Sequence, residues 1–331
     1  MTCDLSTQYL RMQLANPLVV SACPLTSNVD SIFALQEAGA AAVVLPSLFE
    51  EQIEHEELEF ARLHDLQTDL SPESLSYFPQ MDSYNTGPDK YLDLIRRAKQ
   101  ATTIPIIASL NGSSKRGWIE YAHLMEQAGA DALELNIYAI PIAASQACEV
   151  VESQYCELVA AIKERLTIPV AVKIGPFFSS IPSIAKLLID AGADGLVLFN
   201  RYLAPDIDLN TLEYKPALKL SQPEELRLSL RWLAILRDQV SVSLAATGGV
   251  HQVEDVIKAL LAGANITMLA STLLERGTSH LRHLKSELSA WLDAHEYQSV
   301  NQLIGSMSYQ HCINPDGLLR ANYIRALTSY V

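Results

Sequence analysis

Ala191-Gly192-Ala193-Asp194-Gly195-Leu196-Val197-Leu198-Phe199-Asn200 is the stretch on which the fold turns. An amphipathic run ends at its head. The glycine then stands where a helix closes in the left-handed conformation that only glycine adopts cheaply. A short apolar, β-rich run follows. The phrase recurs three more times: Ala38-Gly39-Ala40 before AAVVL, Ala128-Gly129-Ala130 before DALELN, and Ala262-Gly263-Ala264 before NITMLAS. A helix, a glycine stop and a buried strand form the second half of a βαβ unit.

A second phrase marks further strands, a proline directly before an apolar run: Asn16-Pro17-LVVSA, Ile104-Pro105-IIASLN and Ile168-Pro169-VAVKIG. Proline suits the first residue of a strand, where it does not interrupt the ladder. With VSVSLAAT near 240–247, strands are expected near 17–22, 41–47, 105–110, 132–137, 169–174, 195–200, 241–246 and 265–270. All eight are apolar without strict alternation, as in parallel strands buried on both faces. Eight such units predict an α/β fold, a (β/α)8 barrel. A doubly wound open sheet would carry GxGxxG after its first strand, where SACPLTS stands here.

The 331 residues read as one domain, 1–331, with long loops at about 48–88 and 201–222 and outer helices over about 279–331, interrupted by an Asn314-Pro315-Asp316-Gly317 turn. Long excursions at strand C-termini commonly form lids. Hydrophobic residues at 49% and charged residues at 19% suit a large core. Lys and Arg number 24 against 38 Asp and Glu, a net charge of −14 that argues against nucleic acid or an anionic membrane surface as partner. The scattered Cys3, Cys23, Cys148, Cys156 and Cys312 form neither a disulfide framework nor a metal knuckle. Residues 1–15 show no signal peptide, and no apolar run approaches the roughly 20 residues of a membrane span. A soluble, cytoplasmic protein with reduced thiols is expected.

In a barrel of this kind the chemistry gathers where strands end. Those ends read Ser21-Ala22-Cys23, Ser109-Leu110-Asn111-Gly112, Asn136, Lys173 within VAVKIGP, Asn200, Thr247-Gly248-Gly249 and Ala270-Ser271. Two glycines let backbone N–H groups approach an anion, and loops after the seventh and eighth strands are the usual phosphate site. Lys173 among apolar residues is either paired with a carboxylate inside the barrel, or faces an anionic ring or phosphate, or serves as a Schiff-base amine. Asn136 and Asn200 are suited to hydrogen-bond a planar heterocycle. Glu51, Glu54, His55, Glu56 and Glu57 read as a solvated acidic face rather than a metal site, His251 as a loop residue near a helix start, and Cys23 as a small buried thiol.

The ordered set Asn16-Pro17, Ser109, Asn136, Lys173, Asn200, Thr247-Gly248-Gly249 and Gly263-Ala264 resembles the FMN-binding barrel of the dihydroorotate dehydrogenases, particularly the soluble class. The resemblance spans about residues 5–280, with ATGGV and VAVKI its most specific parts. It implies that Lys173 faces the flavin N1/O2 edge, that Asn136 and Ser109 hydrogen-bond the isoalloxazine, and that Gly248, Gly249 and Ser271 cradle the FMN phosphate. Asn200 would sit near the substrate ring. Ser21, Ala22, Thr247 and Ala270 complete the expected cofactor-binding set.

This chain also departs from the pattern. Where the family reads Asn-x-Ser-Cys-Pro-Asn, with Cys or Ser as the base, the stretch is Asn136-Ile137-Tyr138-Ala139-Ile140-Pro141, and Ala139 cannot abstract a proton. Leu45-Pro46-Ser47 replaces a lysine, Arg201 follows Asn200 in place of Ser or Thr, and Ala270-Ser271 replaces Gly-Thr. The catalytic candidates are therefore Tyr138 and Arg201, the latter as a carboxylate clamp, with Tyr202 or a loop cysteine as other substitutes for the base. The expected function is an FMN-dependent oxidoreductase acting on the CH–CH group of a small planar or carboxylated substrate. Its partners would be a small-molecule substrate, a redox-partner protein and a second copy in a homodimer. The alternatives are a true dihydroorotate dehydrogenase of pyrimidine metabolism with a displaced base, a flavin-binding electron-transfer partner without substrate chemistry, and a Schiff-base aldolase using Lys173.

Overall fold

The glycine stops and the apolar runs behind them become alternating helices and parallel strands in the computed structural model, which describes residues 3–49, 51–52, 88–112, 118–201, 205–215, 218–319, 324 and 327–328. A hairpin of β1 (Thr7–Tyr9) and β2 (Met12–Leu14) comes first. The strands β3 (Leu18–Val20) and β4 (Ala42–Val44) follow, then the two-residue β5 (Leu48–Phe49) and β6 (Ile106–Gly112). Next come β7 (Ala132–Ile137), β8 (Val170–Ile174) and β9 (Gly195–Leu198). A second hairpin, β10 (Asp206–Asp208) and β11 (Glu213–Lys215), precedes β12 (Ser243–Thr247) and β13 (Ile266–Leu269). Neighbours β3-β4-β6-β7-β8-β9-β12-β13 pair in parallel, and β13 returns to β3 to close the ring. Helices fall between successive barrel strands, from Val29–Ala38 to Val253–Ala262. The expected (β/α)8 barrel is what the chain forms.

The recurring phrases have a mechanical reason. Gly39, Gly129, Gly192 and Gly263 all carry positive φ, between 101° and 126°, as helix stops. The residue two positions after three of these glycines then clamps the head of the preceding strand twice. Asp131 accepts from the Ile106 N–H at 2.7 Å and donates its own N–H to the Ile106 carbonyl. Asp194 does the same with Val170, and Asn265 with Leu244. The first phrase has Ala41 at that position, and there Asn16 supplies the missing acceptor, taking the Leu18 N–H at 2.9 Å while donating to the Gly39 carbonyl. Pro17, Pro105 and Pro169 have no N–H to offer, yet each carbonyl accepts from a neighbouring strand.

Strand residues divide between two cores by period-two alternation. Val20, Ala108, Leu135, Val172, Leu196 and Ala246 pack outward under the helices. Val19, Val44, Ile107, Ala132, Ala171, Val197, Ala245 and Met268 fill the barrel, together with Tyr9, Leu10 and Leu14 of the first hairpin. That hairpin plugs the barrel. Leu10 packs so closely that a Cβ on Gly195 would come within 2.7 Å of its side chain.

Most of the expected loop 48–88 lies outside the described residues, including Glu54, His55, Glu56 and Glu57 and the Asn85-Thr86-Gly87 turn. Tyr202 lies outside them too. The loop at 201–222 contains β10 and β11, which carry exposed Ile207 and Tyr214, with Leu209 and Leu212 exposed in the turn between them. Beyond β13, the helix His280–Ala294 buries Leu281, Leu284, Leu288 and Leu292 along one stripe. Among the described residues no helix is long and apolar enough to cross a membrane.

Asp194 offers a test of the clamp. Burial pushes its carboxyl up, but Lys163 at 2.7 Å, the Val170 N–H and Arg11 together hold it below the ordinary carboxylate range. Asp194→Ala, which also orphans the Val170 N–H, is expected to cost about 2–3 kcal/mol in denaturant unfolding. The folded carboxyl titrates below its unfolded counterpart, so its stabilisation is complete above about pH 4 and is lost as pH falls through the folded value. Asp194→Asn should lack that acid-dependent component.

Candidate active site

The glycine pair stands at the C-terminal end of β12, with φ of 82° at Gly248 and 74° at Gly249. Their reasons differ. A Cβ on Gly249 would lie 2.5 Å from the Leu226 backbone nitrogen, so the close approach of the 222–226 turn demands glycine. A Cβ on Gly248 would meet nothing within 4 Å, because Gly248 faces open space. Across from it, Ser271 begins the short helix after β13. The Ser271 Oγ accepts from the Ser221 N–H at 2.9 Å and lies 2.8 Å from the Ser221 Oγ. His251, read from the sequence as a loop residue, is buried; its Nε2 donates to the Ser221 carbonyl at 2.7 Å. It is a strut that fixes the 221 segment against the glycine loop.

Register brings the remaining polar groups together. Asn111, Asn136 and Lys173 are direct neighbours on β6, β7 and β8. Asn200, whose N–H donates to the Ile174 carbonyl, donates through Nδ2 to the Asn136 Oδ1 at 2.6 Å. The buried Lys173 ammonium stands 3.5 Å from the Glu134 carboxylate, two residues before Asn136 on the same face. Neither Glu134 oxygen has a hydrogen-bond partner among the described residues. The barrel-interior pairing considered for Lys173 is thus present, and the same side chain also reaches the barrel mouth.

A cavity of about 690 Å³ opens there. Ten of the eleven expected cofactor-binding residues line it: Ser21, Ala22, Asn136, Lys173, Asn200, Thr247, Gly248, Gly249, Ala270 and Ser271. Ser109 does not. It is fully buried, and its Oγ lies 2.8 Å from that of Ser47, which does line the cavity. Arg201 lines the rim and is held by Glu225 at 3.2 Å. Tyr138 and Ala139 wall a neighbouring cavity instead. Cys23 lines the main cavity, and burial pushes its thiol up, keeping it protonated. Cys148, in the neighbouring cavity, is pushed up by its hydrogen bond to Glu149.

Sequence reasoning missed Glu134 and gave Asn111 no role beyond its place at a strand end; it read Ser47 only as part of the stretch that replaces a lysine, and it missed Ser221. The first two carried a usable signal. Alternation places Glu134 and Asn136 on one face of a strand, and likewise Ser109 and Asn111, with Asn111 nearer the mouth. Ser47 follows β4 at the expected end of the second strand, whereas no local pattern marks Ser221.

The Dihydroorotate dehydrogenase family model matches residues 4–292. A dihydroorotate dehydrogenase B (NAD(+)) catalytic subunit from Thermoplasma acidophilum is 26% identical over 310 residues, 91% of this chain and 98% of that protein. The Shouchella clausii protein of the same description is 34% identical over 210 residues, 61% of this chain and 68% of its own. A dihydroorotate dehydrogenase A (fumarate) from Lactobacillus helveticus is 29% identical over 234 residues, covering 68% and 75%.

The Lys173–Glu134 pair predicts a non-additive cycle. Lys173→Met alone leaves a buried carboxylate without its cation and should cost about 3–5 kcal/mol. Adding Glu134→Gln should recover much of that loss in the unliganded protein. A double variant no more stable than Lys173→Met would show that the two charges are not coupled.

Proposed function

We propose, from the premise that the chain belongs to the dihydroorotate dehydrogenase family, that it is an FMN-dependent oxidoreductase acting on the CH–CH group of a small planar or carboxylated substrate. The observation that carries this reading is the convergence of Lys173, Gly248, Gly249 and Ser271 on one cavity. The residues present fit FMN. The volume, about 690 Å³, lies within the range of small-molecule sites. The open space before Gly248 is one that any side chain would fill. Gly248, Gly249 and Ser271 would hold the phosphate, Lys173 the N1/O2 edge of the ring, and the Asn136–Asn200 pair its other polar edge. When bound, FMN supplies two-electron redox chemistry.

The chain's own groups do the rest. Glu134, 3.5 Å away, holds the Lys173 side chain toward a site where anionic charge would develop. Arg201 presents a planar fork at the rim, and its partly exposed pair with Glu225 is weak enough for a substrate carboxylate to displace. Ala139 offers no proton acceptor, and the protonated Cys23 thiol does not replace one. The substrate site is therefore a remodelled one. A redox-partner protein and a homodimer in the cytoplasm accompany the reading; exposed Ile207, Leu209, Leu212 and Tyr214 are consistent with a contact surface.

The purified protein should show a two-band flavin spectrum and release FMN on denaturation. Gly248→Val should lower FMN affinity at least tenfold. A colourless protein that cannot be reconstituted with FMN would overturn the assignment. Since a general base contributes about 10²–10⁴-fold, dihydroorotate turnover should fall short of that of the curated relatives by that order. Arg201→Ala should raise the KM for a carboxylated substrate by about tenfold or more. An unchanged KM would remove the clamp.

A further inference from the structure

The main cavity is not the only space at the barrel mouth. Beside it lies a second cavity of about 540 Å³, and the two share Pro176, Phe177 and Asn200. Its walls are mostly apolar: Ala139, Ile140, Pro141, Val151, Phe177 and Phe178. Among the described residues no Lys, Arg or His lines it, and its one charged residue is Glu152. The main cavity, by contrast, holds the cations Lys173, Arg201 and Lys219, with Glu224 and Glu225 also in its lining. One pocket thus suits anionic groups, and the other suits neutral ones.

The wall of the second cavity is preformed. Tyr155 hydrogen-bonds the backbone of Ala139, and its ring meets Phe178 edge-on at 5.6 Å. The Tyr138 hydroxyl, which is shielded from solvent, has no hydrogen-bond partner among the described residues. Because that oxygen is shielded, it offers no hydrogen bond to a group that enters the cavity. With alanine at 139, a methyl group lines this cavity at the expected position of the base. Loss of the base and gain of the apolar wall come from the same segment.

We infer that the substrate spans both cavities: a planar or carboxylated head beside Lys173 and Arg201, and a neutral, ring-sized apolar group against Ala139, Ile140 and Phe178. This rests on the oxidoreductase reading and narrows its substrate class.

The test uses 2-naphthol as a neutral probe and 2-naphthoate as a carboxylated one. Both are titrated into the full flavin-loaded chain and followed by probe fluorescence. Both should bind, in competition with each other. Val151→Trp, which fills the cavity, should abolish binding of both with the flavin spectrum retained. Arg201→Ala should weaken 2-naphthoate alone. Failure of 2-naphthol to bind a protein with an intact flavin spectrum overturns the inference and leaves the oxidoreductase reading standing. So does binding indifferent to Val151→Trp, or 2-naphthoate affinity indifferent to Arg201→Ala. A flavin-free protein that still binds 2-naphthol at this cavity overturns the cofactor reading while supporting the apolar site.

Discussion

Closing eight parallel strands into a ring leaves an interior only as wide as the side chains that fill it, and here that interior is graded along the barrel axis. At one end Tyr9, Leu10, Leu14 and Val19 make a dry plug. One step toward the mouth come Ser109 and Glu134, direct neighbours on β6 and β7. The next step holds Asn111, Asn136 and Lys173. A buried ammonium is tolerable only beside its carboxylate, and the carboxylate only where the ammonium reaches it. The polar floor of the cavity therefore depends on strand register, since a slip of one residue would turn Glu134 and Lys173 toward the helices.

That register is enforced far from the site. Asp131, Asp194 and Asn265 each clamp the head of the preceding strand through two hydrogen bonds, and Asn16 substitutes where the first phrase has Ala41. At the opposite end, His251 and Ser271 hold the 221 segment, and Gly249 admits the 222–226 turn. The mouth is a rigid rim with glycines where a ligand or a backbone must come close. Its most adaptable polar contact is the partly exposed Arg201–Glu225 pair.

Much of this could be read from the chain alone, because the signals were local. A glycine stop followed by an apolar run needs no tertiary knowledge; seven barrel strands fell where those phrases and prolines placed them, and the eighth fell at the apolar run VSVSLAAT. Lys173, Asn200 and the glycine pair were visible as polar or conformationally special residues at strand ends. What stayed hidden depends on packing between distant strands. Glu134 sits within an otherwise apolar stretch; alternation with Asn136 turns it inward, but only the fold shows that Lys173 is its partner. Ser109 shares a face with Asn111 one step deeper in the barrel, where its hydroxyl meets that of Ser47, 62 residues away in the chain. Tyr138 follows the strand that bears Asn136, yet it turns into the adjoining cavity. The β10–β11 hairpin had no turn signature strong enough to lift it out of the loop.

The plug imposes an order on assembly. Residues 4–14 are the first of the described contacts to be synthesised, yet their partners arrive almost last. Thr7 donates to the Asn265 carbonyl, Leu10 to the Ser243 hydroxyl, and Asp4 bridges Ser299. The ring itself closes between β3 and β13, some 250 residues apart. Contacts of such long sequence separation are slow to form, since the loop entropy must be met before any pairing rewards it. The apolar Tyr9, Leu10 and Leu14 must therefore wait without a core while most of the barrel is made. During that interval the nascent chain exposes the surface most inclined to seize a wrong partner.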